Sequence, residues 1–214
     1  MDKKLVDWSV YLVTDRRAAG DRSILDIVRQ AIQGGVTVVQ LREKECSSRE
    51  MYELGLALLD VTRQTGIPLI VNDRLDIALA IGAEGVHLGQ SDLPAKVARE
   101  WMGPDRIVGI SATNVQEALD AQRDGADYLG VGDVFGTPSK PDACPPIGLT
   151  GLEEIAKIAT VPVVAIGGVT VQNTTPAVRH GADGVAVISA IFGAPDPAVA
   201  ASSLREAVQA GRQR

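Results

Sequence analysis

One short pattern recurs four times along this chain of 214 residues. It reads Gly34-Gly35-Val36, Gly82-Ala83-Glu84-Gly85-Val86, Gly125-Ala126-Asp127 and Gly181-Ala182-Asp183-Gly184-Val185. Each copy stands where a helical pattern stops and an apolar run begins. Glycine accepts the left-handed backbone that ends a helix, and a small residue there lets the helix pack onto the next strand. The same junction used repeatedly means that one helix-to-strand unit is being repeated.

Eight β-like runs fit that unit: residues 9–13, 37–41, 69–71, 86–88, 107–110, 128–131, 163–166 and 185–188. Most are apolar at both parities, as strands buried on two faces are. Helical patterns fill the gaps at 24–32, 49–65, 75–80, 115–123, 152–159 and 174–179, and a last one at 198–208 closes the chain. Eight units in 214 residues average about 27 residues each, a spacing that suits a compact (β/α)8 barrel. The expected fold is therefore α/β, a single (β/α)8 TIM barrel with a parallel eight-stranded core over residues 1–214. A doubly wound open sheet is the alternative.

Composition narrows the function classes. Hydrophobic residues make up 45% of the chain but aromatic ones only 3%, so the core must be aliphatic. A net charge of −6 argues against a nucleic-acid binder, which needs a basic face. It leaves room for an anionic small substrate held by a few local cations. Cys46 and Cys144 make neither a metal spacing nor a disulfide framework. The start lacks the apolar run of a signal peptide, and no run approaches the ~18 apolar residues of a membrane span. A cytoplasmic protein with small-molecule partners and no membrane partner is expected; the oligomeric state stays open.

In such a barrel the residues after the strands face one mouth. Asp73 and Asp92 follow the third and fourth runs. Two carboxylates converging without a paired base suit a hard cation such as magnesium, Mg2+. Taken singly, Asp73 reads rather as a helix cap and Asp92 as a turn residue. After the second run, alternation puts Gln40, Arg42 and Lys44 on one side. A guanidinium fork and an ammonium suit a polyphosphate; the alternative is a solvated strand end with a salt-bridged Glu43. Asn72, His87 and Gln90 also lie past strands, though a lone histidine is more often structural. Ser111 reads as a phosphate donor or as the cap of the helix starting near Asn114.

The longest irregular stretch, residues 132–146, follows the sixth run and contains Thr137, Ser139 and Lys140. Its length suggests a lid hinged at Gly132 and Gly136, and its hydroxyls and lysine suit phosphate. Gly167-Gly168 and Ile188-Ser189 follow the last two runs, where barrels often cradle a phosphate. No Ser-His-Asp set, Schiff-base lysine or GxGxxG fingerprint is visible. A magnesium-bound diphosphate beside a phosphorylated second substrate implies group transfer with loss of pyrophosphate.

Together the motifs YLVTD (11–15), VQLREK, LIVNDRLDIAL, GVHLGQSDLP, GIS, DYLGVG, PVVAIGG and GVAVISAI (184–191) resemble the thiamine-phosphate synthase family over nearly the whole chain. The resemblance implies an alkyl/aryl transferase that joins 4-amino-2-methyl-5-pyrimidinylmethyl diphosphate to a thiazole phosphate, carboxylated or not. It assigns Gln40, Arg42, Lys44, Asn72, Ser111 and Lys140 to the pyrimidine diphosphate. Of these, Arg42, Lys44, Lys140 and Ser111 would be catalytic. Asp73 and Asp92 would hold magnesium, and Thr137, Ser139, Gly168, Ile188 and Ser189 the thiazole phosphate. The implied chemistry is dissociative. One stretch departs from the family pattern, Pro-Val-Phe-Pro-Thr before a Thr-Lys pair. Here it reads Asp133-Val134-Phe135-Gly136-Thr137-Pro138-Ser139-Lys140. A thiazole tautomerase using His87, and a non-catalytic phosphate-binding barrel, are the competing readings.

Overall fold

The computed structural model describes residues 2–137 and 145–213. Among them eight strands close a barrel in chain order: β1 (Val10–Val13), β2 (Val38–Leu41), β3 (Leu69–Asn72), β4 (Gly85–Leu88), β5 (Ile107–Ala112), β6 (Tyr128–Val131), β7 (Val163–Ile166) and β8 (Gly184–Val187). Neighbours pair parallel throughout, and β8 returns to β1. The expected (β/α)8 barrel is thus observed, and the open sheet is excluded.

The helices are α1 (Arg16–Ala19), α2 (Ile24–Gln33), α3 (Ser48–Thr65), α4 (Leu75–Ile81), α5 (Ala95–Met102), α6 (Val115–Arg123), α7 (Gly148–Ile158), α8 (Val171–Arg179), α9 (Ser189–Phe192) and α10 (Pro197–Arg212). Local signals explain several ends. Ser47 and Glu50 form a reciprocal capping box on α3, and Asn114 caps α6. Helix α5, not among the helical patterns read from the sequence, buries Ala95, Ala98 and Met102 on one face. Helix α10 packs against both α8 and α2 and so seals the ring. That approach needs glycine: a Cβ on Gly34 would lie 2.1 Å from the Ala198 carbonyl oxygen.

The repeated junction has a second role besides turning the chain. Gly35, Gly82, Gly125 and Gly181 do take positive φ. The acid that follows the last three reaches the beginning of a neighbouring strand. Glu84 accepts from Leu69 N at 3.0 Å, Asp127 from Val108 N at 2.9 Å and Asp183 from Val163 N at 2.8 Å. Each satisfies a backbone donor that the parallel ladder leaves unpaired at its edge.

Strand alternation divides the core in two. Val10, Leu12, Val39, Leu41, Val71, Val86 and their like face the helices and form the larger apolar layer. Trp8, Tyr11, Val13, Val38, Ile70, Ile107, Tyr128, Val164 and Ala186 fill the barrel itself. The large rings fit because glycines face them. A Cβ on Gly109 would meet the Tyr128 ring at 2.1 Å, and one on Gly130 would meet His87 at 2.8 Å. Among the described residues no helix is long and apolar enough to cross a membrane.

Candidate active site

The C-terminal ends of β2, β3 and β4 carry a compact charged group. Asp73 lies immediately after β3 with φ 61°, the only non-glycine residue at positive φ among the described residues. Such a backbone is strained and is maintained by its surroundings; here Asp73 N donates to the His87 carbonyl at 2.9 Å. Its carboxylate pairs with Lys44 Nζ at 2.5 Å. It is not the helix cap, since Arg74 holds that position on α4 with no side-chain cap bond. Asp92 accepts from Gly89 N at 2.7 Å, as a turn residue does. It also faces Asp73. Burial, and then the neighbouring Asp73 charge, push the Asp92 carboxyl above its ordinary value. Two like charges side by side account for the direction of the Asp73 contribution.

Arg42 takes a different place from a solvated strand end. Its side chain is mostly buried, and Nη1 reaches Asp15 Oδ2 at 3.2 Å. Asp15 meanwhile caps α1 by accepting from Ala18 N. Glu43 points the opposite way and pairs with Arg16 at 3.1 Å. Strand β2 ends at Leu41, so alternation does not extend to residues 42–44: Gln40 meets Tyr11, Arg42 meets Asp15 and Lys44 meets Asp73, and Asp15 is a partner that the sequence reading missed.

Inside the barrel these groups stand on a chain of hydrogen bonds. Gln40 Nε2 donates to Tyr11 Oη at 2.8 Å, and Tyr11 Oη meets Tyr128 Oη at 2.7 Å. Tyr128 Oη meets His87 Nδ1 at 2.8 Å, and His87 Nε2 meets Ser111 Oγ at 3.0 Å. Ser111 therefore faces the barrel, and Asn114 supplies the helix cap. Trp8 stacks on Tyr128 with ring centroids 4.2 Å apart and floors the chain. Burial holds both phenols above the usual tyrosine range, so they stay protonated. Tyr11 and Tyr128 were absent from the sequence-based list. Their signal was parity: each tyrosine shares the barrel-facing side with a strand glycine, Gly109 or Gly130, or with the short Ala186.

The ends of β6, β7 and β8 adjoin on the other side of the mouth. Val134 N donates to Ile166 O at 2.9 Å and Phe135 N to Gly167 O at 3.0 Å, which lays the start of the long loop along the Gly167-Gly168 turn. Gly168 has φ 63°, and a Cβ there would sit 2.2 Å from Gly136 O. Gly132 is equally tight, with a Cβ position 2.0 Å from Ile166 O. Of the two glycines expected as hinges, Gly132 is tightly packed, whereas a Cβ on Gly136 would meet only Pro146 at 3.5 Å. Thr137 follows on the same loop, while Ile188 and Ser189 begin α9 beside β8. Ser139 and Lys140, with residues 138–144 generally, lie outside the described residues.

A family model described as TMP-TENI, thiamine monophosphate synthase, matches residues 10–191. The chain belongs to the thiamine monophosphate synthase family. It is 58% identical over 195 residues to the thiamine-phosphate synthase of Roseiflexus castenholzii, covering 91% of this chain and 86% of that one. It is 50% identical over 210 residues to the thiamine-phosphate synthase of Chloroflexus aurantiacus, covering 98% and 97%. Among solved structures it superposes on a thiamine phosphate pyrophosphorylase from Pyrococcus furiosus with a TM-score of 0.87 and 43% identity, covering 95% and 96%. A 3-hexulose-6-phosphate synthase at 22% identity and TM-score 0.67 shares the fold alone. The chain is accordingly an enzyme of thiamine biosynthesis, a transferase that makes thiamine phosphate.

Proposed function

We propose that the chain, acting as one domain over residues 1–214 in the cytoplasm, condenses 4-amino-2-methyl-5-pyrimidinylmethyl diphosphate with a thiazole phosphate. The products are thiamine phosphate and pyrophosphate. The observation that carries the reading is the meeting of Asp73 and Asp92 beside Lys44, with Arg42 held on Asp15 just past the end of β2.

The donor set fits magnesium. Two carboxylates face each other, and a bound divalent ion would offset the Asp73 charge that, after burial, raises Asp92. Among the described residues no group of three or more His, Cys, Asp or Glu could hold a metal; Asp73 and Asp92 would hold the ion together with the substrate. When bound, magnesium supplies charge neutralisation on the leaving diphosphate. Arg42 and Lys44, with Lys140 from the long loop, grip that diphosphate, and Lys44 exchanges its present bond to Asp73 for the substrate. Asn72 sits at the end of β3 and Gln40 and Ser111 on neighbouring strands, the latter two fixed by the tyrosine–histidine chain. Rigid dipoles of this kind need no reorganisation as charge develops.

The reaction needs no general base. The carbon–oxygen bond to the diphosphate breaks, and the thiazole nitrogen lone pair captures the pyrimidine-methyl cation. A carboxylated thiazole also loses carbon dioxide. Thr137, Ser139, Gly168, Ile188 and Ser189 hold the thiazole phosphate. His87 works as a structural link, since both ring nitrogens have partners in Tyr128 and Ser111.

The test is product formation by the purified chain. Thiamine phosphate and pyrophosphate are expected in equal amounts, only with both substrates and with magnesium. Conversion of a thiazole phosphate alone would favour the tautomerase, and product formation undiminished by a chelator would remove the metal from the scheme.

A further inference from the structure

Asp133, after β6, is a buried acid near the mouth that the reaction scheme leaves without a task. It is 8% exposed. Its two oxygens are both taken by successive backbone donors: Oδ1 accepts from Gly136 N at 2.8 Å and Oδ2 from Thr137 N at 2.7 Å. Its own carbonyl accepts from Ile147 N at 2.8 Å, where the chain re-enters the barrel before α7. The carboxylate also lies flat on the β7 turn. A Cβ on Gly167 would come within 2.0 Å of Oδ1 and 2.6 Å of the carboxyl carbon. One buried side chain therefore ties together the end of β6, the backbone at 136–137 and the Gly167-Gly168 turn.

Two consecutive N–H groups turned to one acceptor make an anion-binding concavity. Here the anion is internal. The concavity is filled by the protein, so an incoming phosphate meets neighbouring groups instead. We propose that Asp133 is a positioning residue for the phosphate of the second substrate. It acts through Gly136 and Thr137, setting their distance from Gly168, whose Cβ position is only 2.2 Å from Gly136 O. The diphosphate groups on β2 to β5 share none of these bonds, and only Lys140 follows on the same loop. Asp133 therefore acts first on affinity for the phosphorylated thiazole, the pyrimidine diphosphate being held mainly from the strand ends. This inference rests on the proposed function and deepens it.

The experiment compares wild type, Asp133→Asn and Asp133→Ala by steady-state kinetics in each substrate separately. Hydrogen exchange over residues 133–137 reports the turn directly. Ala removes two charge-assisted bonds and should raise the thiazole-phosphate KM about tenfold, the factor that corresponds to about 1.4 kcal/mol. The pyrimidine-diphosphate KM should stay within about twofold, and exchange at Gly136 and Thr137 should speed up. Asn keeps one acceptor oxygen and should fall between, and it carries the test if the Ala variant does not fold. Equal rises in both KM values, or native KM values in Asn with faster exchange, overturn the proposal while leaving the function intact. Absence of any thiazole-phosphate turnover in the wild type overturns the function itself, and this inference with it.

Discussion

Replacing Asp73 and Asp92 by asparagine, singly and together, separates a shared metal site from two structural acids. The cost to folding is small on structural grounds. Lys44 is 52% exposed and Asp73 22%, and so open an ion pair contributes at most about 1 kcal/mol. Asparagine tolerates the left-handed backbone at residue 73 as aspartate does. At residue 92 it keeps an oxygen for Gly89 N, and either change removes one of two repelling charges. Each variant should therefore melt within about 4 °C of the wild type, the shift that about 1 kcal/mol gives in a chain of this size. Activity should respond far more. Loss of one preorganised electrostatic group costs about 10²–10³ in rate. Independent effects would multiply to about 10⁴–10⁶ in the double variant, whereas groups acting on one ion do not multiply. The double variant should sit near the worse single one, and all three should need more magnesium. Initial rates of pyrophosphate release against magnesium concentration, with both substrates saturating, read this out. Losses that multiply without any shift in magnesium dependence would refute the shared site.

Arg42→Ala should lower turnover about 10²-fold and also destabilise by about 1–3 kcal/mol, because Asp15 is left partly buried without its cation. Kinetics with thermal melts check both, and an unchanged rate removes Arg42 from the site. Gly168→Val should raise the thiazole-phosphate Kd at least about tenfold, since a side chain at φ 63° would drive into Gly136 O; native affinity by calorimetry would rule out that cup. The buried phenols of Tyr11 and Tyr128 are raised, so the folded chain keeps protons that the unfolded chain releases above about pH 10. Their contribution is complete below that pH and falls as pH rises past it. Urea midpoints measured from about pH 8 to about pH 11 should therefore decline less steeply in Tyr11→Phe, and equal slopes would contradict the burial argument.

The barrel was legible because its signals are local and repeated. Apolar runs at both parities mark two-sided burial, and the glycine junctions mark where helices end, so strand count and order followed. Boundaries shifted by a residue or two where ladder bonds extend a run, as at β5, which continues through Ser111 and Ala112. Helix α5, absent from the sequence reading, carries its buried residues Ala95, Ala98 and Met102 at helical spacing. The acids of the repeat were visible, yet their use was not. That Asp127 and Asp183 hold strand edges depends on which strand starts beneath them, and only closure of the barrel decides it.

The site divides along the same line. Gln40, Arg42, Lys44, Asn72, Asp73, Asp92 and Ser111 follow from one rule, that the carboxyl ends of parallel strands share a mouth. What holds them depends on pairs distant in sequence. Arg42 and Asp15 are 27 residues apart and Tyr11 and Tyr128 are 117 apart, so no spacing rule connects them. Asp73 shows why the bland alternative failed there. A helix cap accepts from its own helix, but the Asp73 carboxylate pairs with Lys44 and Arg74 holds the cap position. Asp73 also sits at φ 61°, a backbone that glycine takes freely. Asp73→Gly, which relieves that backbone but deletes the carboxylate, should therefore keep the fold in a thermal melt and lose the magnesium response of the rate.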